Sequence, residues 1–193
     1  MEYGLAAVVG YLCGAIPVAW LVARRYGVDL LTTGDGNPGA WNALDQLGAR
    51  RALPAFLGDG AKAFIPAAVF HLAFGFWPAY VAVAAAMAGH AFPLPHPSRG
   101  GKSIMCFVGG AFALSPLPAL ICGVLAIAIT LATSFKYGAR VAIFAFPLVQ
   151  LATDPVEHVM ATGGLMTFIG VLFVTRRRTS VPASAGPDAP PTR

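Results

Sequence analysis

Charge is scarce in this chain. Charged side chains make up 11% of the 193 residues and hydrophobic ones 57%, whereas a soluble globular domain carries about 25% charge. Together with a mean hydropathy of +0.70, that shortage excludes an ordinary soluble domain. Cysteine is also sparse: Cys13, Cys106 and Cys122 lie in or beside apolar runs. They lack metal-ligand spacing, which excludes a thiolate metal site and leaves them as small buried hydrophobes. No basic segment precedes the first apolar run, and Arg24 and Arg25 follow it. The expectation is therefore a stop-transfer pattern and not a cleaved signal peptide. No internal repeat is visible, which argues against a transporter built from duplicated halves.

What is present is a series of about seven apolar segments, at residues 5–23, 52–76, 77–92, 103–114, 117–135, 137–153 and 159–174. Because a straight span needs roughly 20 residues, the fourth and sixth are short. Threading the chain with its N-terminus outside places Arg24, Arg25, Arg50, Arg51, Arg99, Lys102, Lys136, Arg140, Arg176, Arg177 and Arg178 on one side. The other side receives only Glu2, Asp154 and Glu157. By the positive-inside rule the basic side is cytoplasmic. The net charge of +5 is therefore a topology signal, and no nucleic-acid partner is expected. The expected fold is all-α and polytopic: a membrane domain over residues 1–178, then a Pro-, Ala- and Ser-rich disordered cytoplasmic tail over 179–193.

The polar, glycine-rich connections all fall on the cytoplasmic side. Polar backbone at membrane depth is tolerated only where it is buried in protein or lines a wet cavity, so that face is expected to carry a site. In "TTGDGNPGAWNALDQLG", residues 32–48, Gly34 and Gly36 allow a turn with positive φ. Asn37 and Pro38 read as the N-cap and first residue of a helix running to Leu47 and stopping at Gly48. Asn42 and Asp45, three apart, would share one face and Trp41 and Leu44 another. A glycine-preceded helix N-terminus suits an anion, although an interfacial loop-helix would look the same. A second island, "GHAFPLPHPSRGGKS" at residues 89–103, places Gly100, Gly101 and Lys102 just before an apolar segment. It departs from a phosphate-binding P-loop where His96 stands in place of glycine. His90 could orient a ligand or be structural. Asp59 and Lys62 sit one turn apart inside an apolar run, as a functional site or a self-neutralising structural pair. His71 and His158 receive no role, and "GYLCG" reads as helix packing.

In order, "GDGNPGAWN", "DGAK", and "GH" with "GGK" resemble the bacterial membrane acyltransferases that move a fatty acyl group from acyl-phosphate to glycerol-3-phosphate. Gly34, Gly36, Asn37, Gly39, Ala40 and Asn42 match the family's first motif, approximately GSGNxGAxN. Gly89, His90, Phe92, Gly100, Gly101 and Lys102 match the second, approximately GHxFxxxxxxxGGKG, and Asp59 and Lys62 match its D-x-x-K. Over residues 1–178 the resemblance implies a seven-span enzyme of the bacterial inner membrane with its active face in the cytoplasm, making lysophosphatidic acid for phospholipid synthesis. It implies catalytic roles for Lys102, His90 and Asn37, and substrate contacts from Gly34, Asp35, Gly36, Gly39, Asn42, Gly100, Gly101, Ser103, Arg140 and Arg177. No cofactor or metal is implied, since the donor is already activated. Beyond acyl-phosphate, glycerol-3-phosphate and membrane lipids, no partner is implied.

The chain departs from the family pattern at several of these positions. Asp35 replaces a serine and Asp45 an arginine. Ser103 stands where GGKG ends in glycine, and Cys106 where a threonine follows. In "TSFKYGAR" Thr133 and Ala139 are kept, while Tyr137 and Arg140 occupy serine positions. Arg177 falls near the family's final arginine, and the asparagine beside it is missing. Two carboxylates in a two-phosphate site repel what it binds. Arg140, Lys136 and the Arg176–Arg178 run could supply replacement cations, or the substrate could differ. The alternative to an acyltransferase is a diverged member acting as a lipid-binding or scaffolding subunit.

Overall fold

The structure, a computed structural model, describes residues 1–94 and 96–176. Every regular element among them is helical: α1 (Glu2–Ala15), α2 (Val18–Arg24), α3 (Ala40–Leu47), α4 (Ala49–Phe74), α5 (Phe76–Ala91), α6 (Ile104–Leu114), α7 (Pro116–Ala132), α8 (Phe135–Thr153) and α9 (Val156–Thr175), with a 3-10 turn at Pro97–Arg99. Three stretches are long and apolar enough to cross a membrane, Glu2–Arg24, Ala49–Phe74 and Val156–Thr175, while α6 and α7 are shorter apolar helices. Arg177 and the tail over 179–193 lie outside the described residues.

Burial is arranged for a lipid solvent. The core is mostly alanine, with Ala6, Ala63, Ala67, Ala79, Ala82 and Ala86 among its fully buried members. The large side chains Leu12, Leu57, Val69, Leu120, Val124, Ile127, Leu148 and Val171 point outward. In water such a surface would aggregate. In a bilayer, small residues inside let helices approach closely and large ones outside meet acyl chains. One close approach joins α1 to α5. A methyl added at Gly10 or Gly14 would collide with the carbonyl of Ala82 or Ala86 respectively, so "GYLCG" is a packing seam.

The first apolar segment, expected as one span, is two helices. Pro17 has no N–H to continue α1, and it pushes the preceding residue out of the helical region. Ile16 accordingly adopts φ −64°, ψ 120°, which frees its carbonyl for another partner. The helix expected to begin at Pro38 begins instead at Ala40, with Gly39 extended at its N-cap and no side-chain cap. The α3 helix ends at Leu47, and Gly48, at φ 76°, turns the chain directly into α4.

The two ends of the bundle differ in chemistry. At one end Tyr80 Oη lies 3.2 Å from Thr162 Oγ1 and donates to the His158 carbonyl, while Gln150 donates to Ser115 Oγ at 2.8 Å. These bonds fasten α5 to α9 and α8 to the start of α7. The glycine-rich connections gather at the other end.

Candidate active site

Three loops meet at that end, and each is built from its own local bonds. The first runs from Arg25 to Gly39 and is organised by Asp29. Its carboxylate accepts the Leu31 N–H and the Trp20 indole N–H, both at 3.1 Å, and its carbonyl accepts the hydroxyls of Thr32 and Thr33. The buried Asn42 amide donates to the carbonyls of Leu30 and Thr33 at 3.0 and 2.9 Å. Asn42, expected to contact substrate, thus pins the loop to α3. Gly34 is doubly required there: its φ is +61°, and a Cβ would strike Asn42 Oδ1. Past that turn, Asp35 Oδ1 accepts the Asn37 N–H at 3.0 Å. Asn37 itself lines both an apolar cavity and a small recess.

The second loop returns from α5 to α6. Gly101 N–H donates to the His90 carbonyl at 3.0 Å. A Cβ at Gly100 would overlap the Ala91 carbonyl, and one at Gly101 would strike the His90 ring. At Gly100 backbone therefore lies directly on backbone, and at Gly101 it lies on the His90 ring. Ser103 follows in the left-handed region, at φ 60°. Such a conformation favours glycine, which accounts for the glycine that the resembling family places here. Serine holds it by donating its hydroxyl to the Met87 carbonyl at 2.7 Å. Ser103, also expected among the substrate contacts, has its hydroxyl committed inside the fold.

Beneath these loops lies a charged cluster formed from three helices. The Lys62 ammonium is 2.8 Å from each of three acceptors: Asp59 Oδ1, the Ile16 carbonyl freed by the Pro17 break, and His90 Nδ1. An ammonium has only hydrogens to give, so Nδ1 accepts and the His90 ring proton resides on Nε2. Asp59 and Lys62 are 1% and 6% exposed. The pair read from sequence is present, and His90, read separately, completes it.

Above the cluster, Lys102 is 3.4 Å from Asp35 Oδ2 and lies over the Phe173 ring at 4.9 Å. Arg176 donates to the carbonyls of Gly101 and Pro97 and stacks on Phe92. Asp35, Asn37, Gly100, Lys102 and Arg176 line the recess together. The sequence points to Arg177 as the substrate contact and offers Arg176 only as part of the Arg176–Arg178 run. Arg176 is the one that follows the last residue of α9. Two expected members are absent from this cluster. Arg140 is exposed on α8 and Asp45 is exposed on α3, and neither lines the cavity or the recess. Of the two carboxylates expected to oppose phosphate, only Asp35 is at the recess.

A cavity of about 260 Å³ opens beside Lys102. Its polar and charged lining comes from Asn37, Asp59, His90, Lys102 and Ser103, and the rest is apolar, including Phe56, Phe107, Val108, Cys122, Ile143 and Phe146 from α4, α6, α7 and α8. A second cavity of about 250 Å³, lined by Trp20, Pro38, Arg99 and Gly100, lies on the other side of His90. A few charged groups on an otherwise apolar lining suit an amphiphile with an anionic head.

Comparison with known proteins agrees with that chemistry. The model of the family described as glycerol-3-phosphate acyltransferase matches residues 4–182. The chain belongs to this family. Among glycerol-3-phosphate acyltransferase relatives, that of Endomicrobium trichonymphae is 32% identical over 92% of this chain and 89% of its own. That of Geobacter sulfurreducens is 32% identical over 90% of this chain and 89% of its own. Among solved structures, PlsY, an integral membrane glycerol 3-phosphate acyltransferase in its glycerol 3-phosphate form, superposes with a TM-score of 0.79 at 27% identity. That match covers 93% of this chain and 96% of the other. The lysophosphatidic acid form of PlsY gives 0.77 at 26% identity. Like PlsY, this family member is a membrane protein, and all its regular elements among the described residues are helices.

Proposed function

We propose that this member of the glycerol-3-phosphate acyltransferase family transfers a fatty acyl group from acyl phosphate to glycerol 3-phosphate at the cytoplasmic face of the bacterial inner membrane. The observation that carries the reading is the apolar cavity between α4, α6, α7 and α8 whose lining includes Lys102 of the glycine-lysine loop. An acyl tail would lie along Phe107, Val108 and Phe146, with its carbonyl toward Lys102. Lys102, Arg176 and the N–H groups of the two loops would attract the phosphates. The acceptor hydroxyl adds to the acyl carbonyl carbon. The C–O bond to phosphate then breaks, and the hydroxyl proton leaves with the phosphate. Donor and acceptor held side by side need no protein nucleophile, because proximity and charge neutralisation lower the barrier.

Seven spans with the N-terminus outside complete this reading, supported by the one-sided distribution of basic residues. The site roles belong to it as well. Lys102 serves as the phosphate clamp, Asn37 and the glycine backbones as the cradle, and His90 as an oriented donor through Nε2. The Asp59–Lys62 pair positions His90.

Purified, detergent-solubilised protein given acyl phosphate and glycerol 3-phosphate is expected to form lysophosphatidic acid, followed by mass spectrometry. Lys102→Ala is expected to lower kcat/KM by about 10²–10³, the size typical of removing one charge-stabilising donor. Retention of wild-type turnover by that variant would remove Lys102 from the site. No product from folded wild type would favour the lipid-binding or scaffolding alternative, for which the Asp35–Lys102 contact is the supporting observation.

A further inference from the structure

Each oxygen of Asp35 accepts from a different wall of the recess. Oδ1 takes the Asn37 N–H of the first loop at 3.0 Å, and Oδ2 lies 3.4 Å from the Lys102 ammonium of the second. These are the kinds of donors a phosphate oxygen would take. On either side of Asp35 the backbone turns through Gly34 and Gly36, at φ +61° and +66°. The carboxylate is not sealed in, for the Asp35 side chain is 47% exposed and Lys102 is 21% exposed. The serine that the family places here can donate a hydrogen bond, whereas an ionised aspartate can only accept. At this position the cradle has therefore exchanged a donor for a resident anion.

We infer that Asp35 is a specificity-determining residue that occupies the anion position between the two glycine loops, so that a substrate phosphate must displace it to reach Lys102. This rests on the function proposed above. The side chain rotates outward when phosphate arrives, and Lys102 changes partner from carboxylate to phosphate. Because a carboxylate and a phosphate repel at short range, the dianionic form of a phosphate monoester is disfavoured more than the monoanion. Asp35 thereby raises the substrate concentration at which the site fills, and leaves the chemical step to the groups around it.

The test compares wild type, Asp35→Ser and Asp35→Asn as full-length protein in detergent. Asparagine preserves the size of the side chain and the Oδ1 bond to the Asn37 N–H, so its fold is retained while the charge is removed. Two readouts are taken: affinity for inorganic phosphate by calorimetric titration, and separate KM and kcat values for glycerol 3-phosphate and acyl phosphate. Both variants are expected to bind inorganic phosphate at least about tenfold more tightly, the size associated with one hydrogen bond to a charged group. The KM of at least one substrate should fall in proportion with kcat within about threefold, and the substrate affected identifies whose phosphate meets Asp35. Unchanged or weaker phosphate binding in both variants overturns the inference. So does a kcat loss beyond tenfold at constant KM, which would make the carboxylate a proton acceptor. If no variant makes lysophosphatidic acid yet both bind phosphate more tightly, the inference about Asp35 stands and the proposed reaction fails.

Discussion

Lys62 commits its three ammonium hydrogens to Asp59, Ile16 and His90, which leaves none for a substrate. Its task is to hold the other three in place. Lys62→Met strands the buried Asp59 carboxylate, and breaking a buried pair in this way typically costs about 3–5 kcal/mol. A correspondingly lower unfolding midpoint is expected in a thermal melt of the solubilised protein. Adding Asp59→Leu should restore much of the loss, because no buried ion is then unpaired and only His90 Nδ1 and the Ile16 carbonyl lose the Lys62 hydrogen bond. A double variant as unstable as the single one would mean that the cluster stabilises through something other than charge pairing.

The i,i+3 spacing made Asp59 and Lys62 legible as a pair, because both sit on one turn of one helix. His90 and the Ile16 carbonyl were not legible as their partners, since those contacts depend on how α1, α4 and α5 pack. Asn42 and Ser103 looked like ligands because they are polar residues inside motifs. In the structure their polar groups are engaged inside the fold, Asn42 on the Leu30 and Thr33 carbonyls and Ser103 on the Met87 carbonyl of α5.

At the scale of the helices, most boundaries could be read from apolar runs and turn residues. The ends of α4 to α9 fall within a few residues of the expected segments. The Pro17 break was missed because Val18–Arg24 is as apolar as α1 and hydropathy does not register a lost hydrogen bond. The seam between α1 and α5 yields a further prediction. At Gly14 a methyl would meet the Ala86 backbone carbonyl, which a side-chain rotation cannot relieve. Gly14→Ala is therefore expected to destabilise by about 1–3 kcal/mol, as overpacking does. It should lower activity too, because the Ile16 carbonyl moves with the end of α1. Gly170→Ala is the matched control. A Cβ there meets nothing within 4 Å, and alanine is favoured over glycine in a helix by about 1 kcal/mol. Equal melts for the two variants would show that the seam is looser than its geometry indicates.

Over the whole molecule, the arrangement of alanine inside and leucine, isoleucine and valine outside reverses the pattern of a soluble protein. Composition alone anticipated the lipid solvent. The one-sided distribution of basic residues in the sequence argues for an orientation, and labelling tests it. With large, membrane-impermeant maleimides on intact spheroplasts, Tyr3→Cys should be labelled from outside. Tyr26→Cys should be labelled only after the membrane is opened. The reverse pattern would invert the topology and place the site on the outer face.

The Asp59–Lys62 pair also bears on how the chain enters the membrane during synthesis. Intramembrane charges are expensive singly, and these two lie within one turn of one helix. They can therefore neutralise each other as soon as α4 is made, before the segment bearing His90 has left the ribosome. The third member joins when α5 docks, so the cluster assembles in the order of translation and no step exposes a lone ion to lipid. A variant that moved either charge to another helix would lose that protection during insertion, even if its finished fold were equally stable.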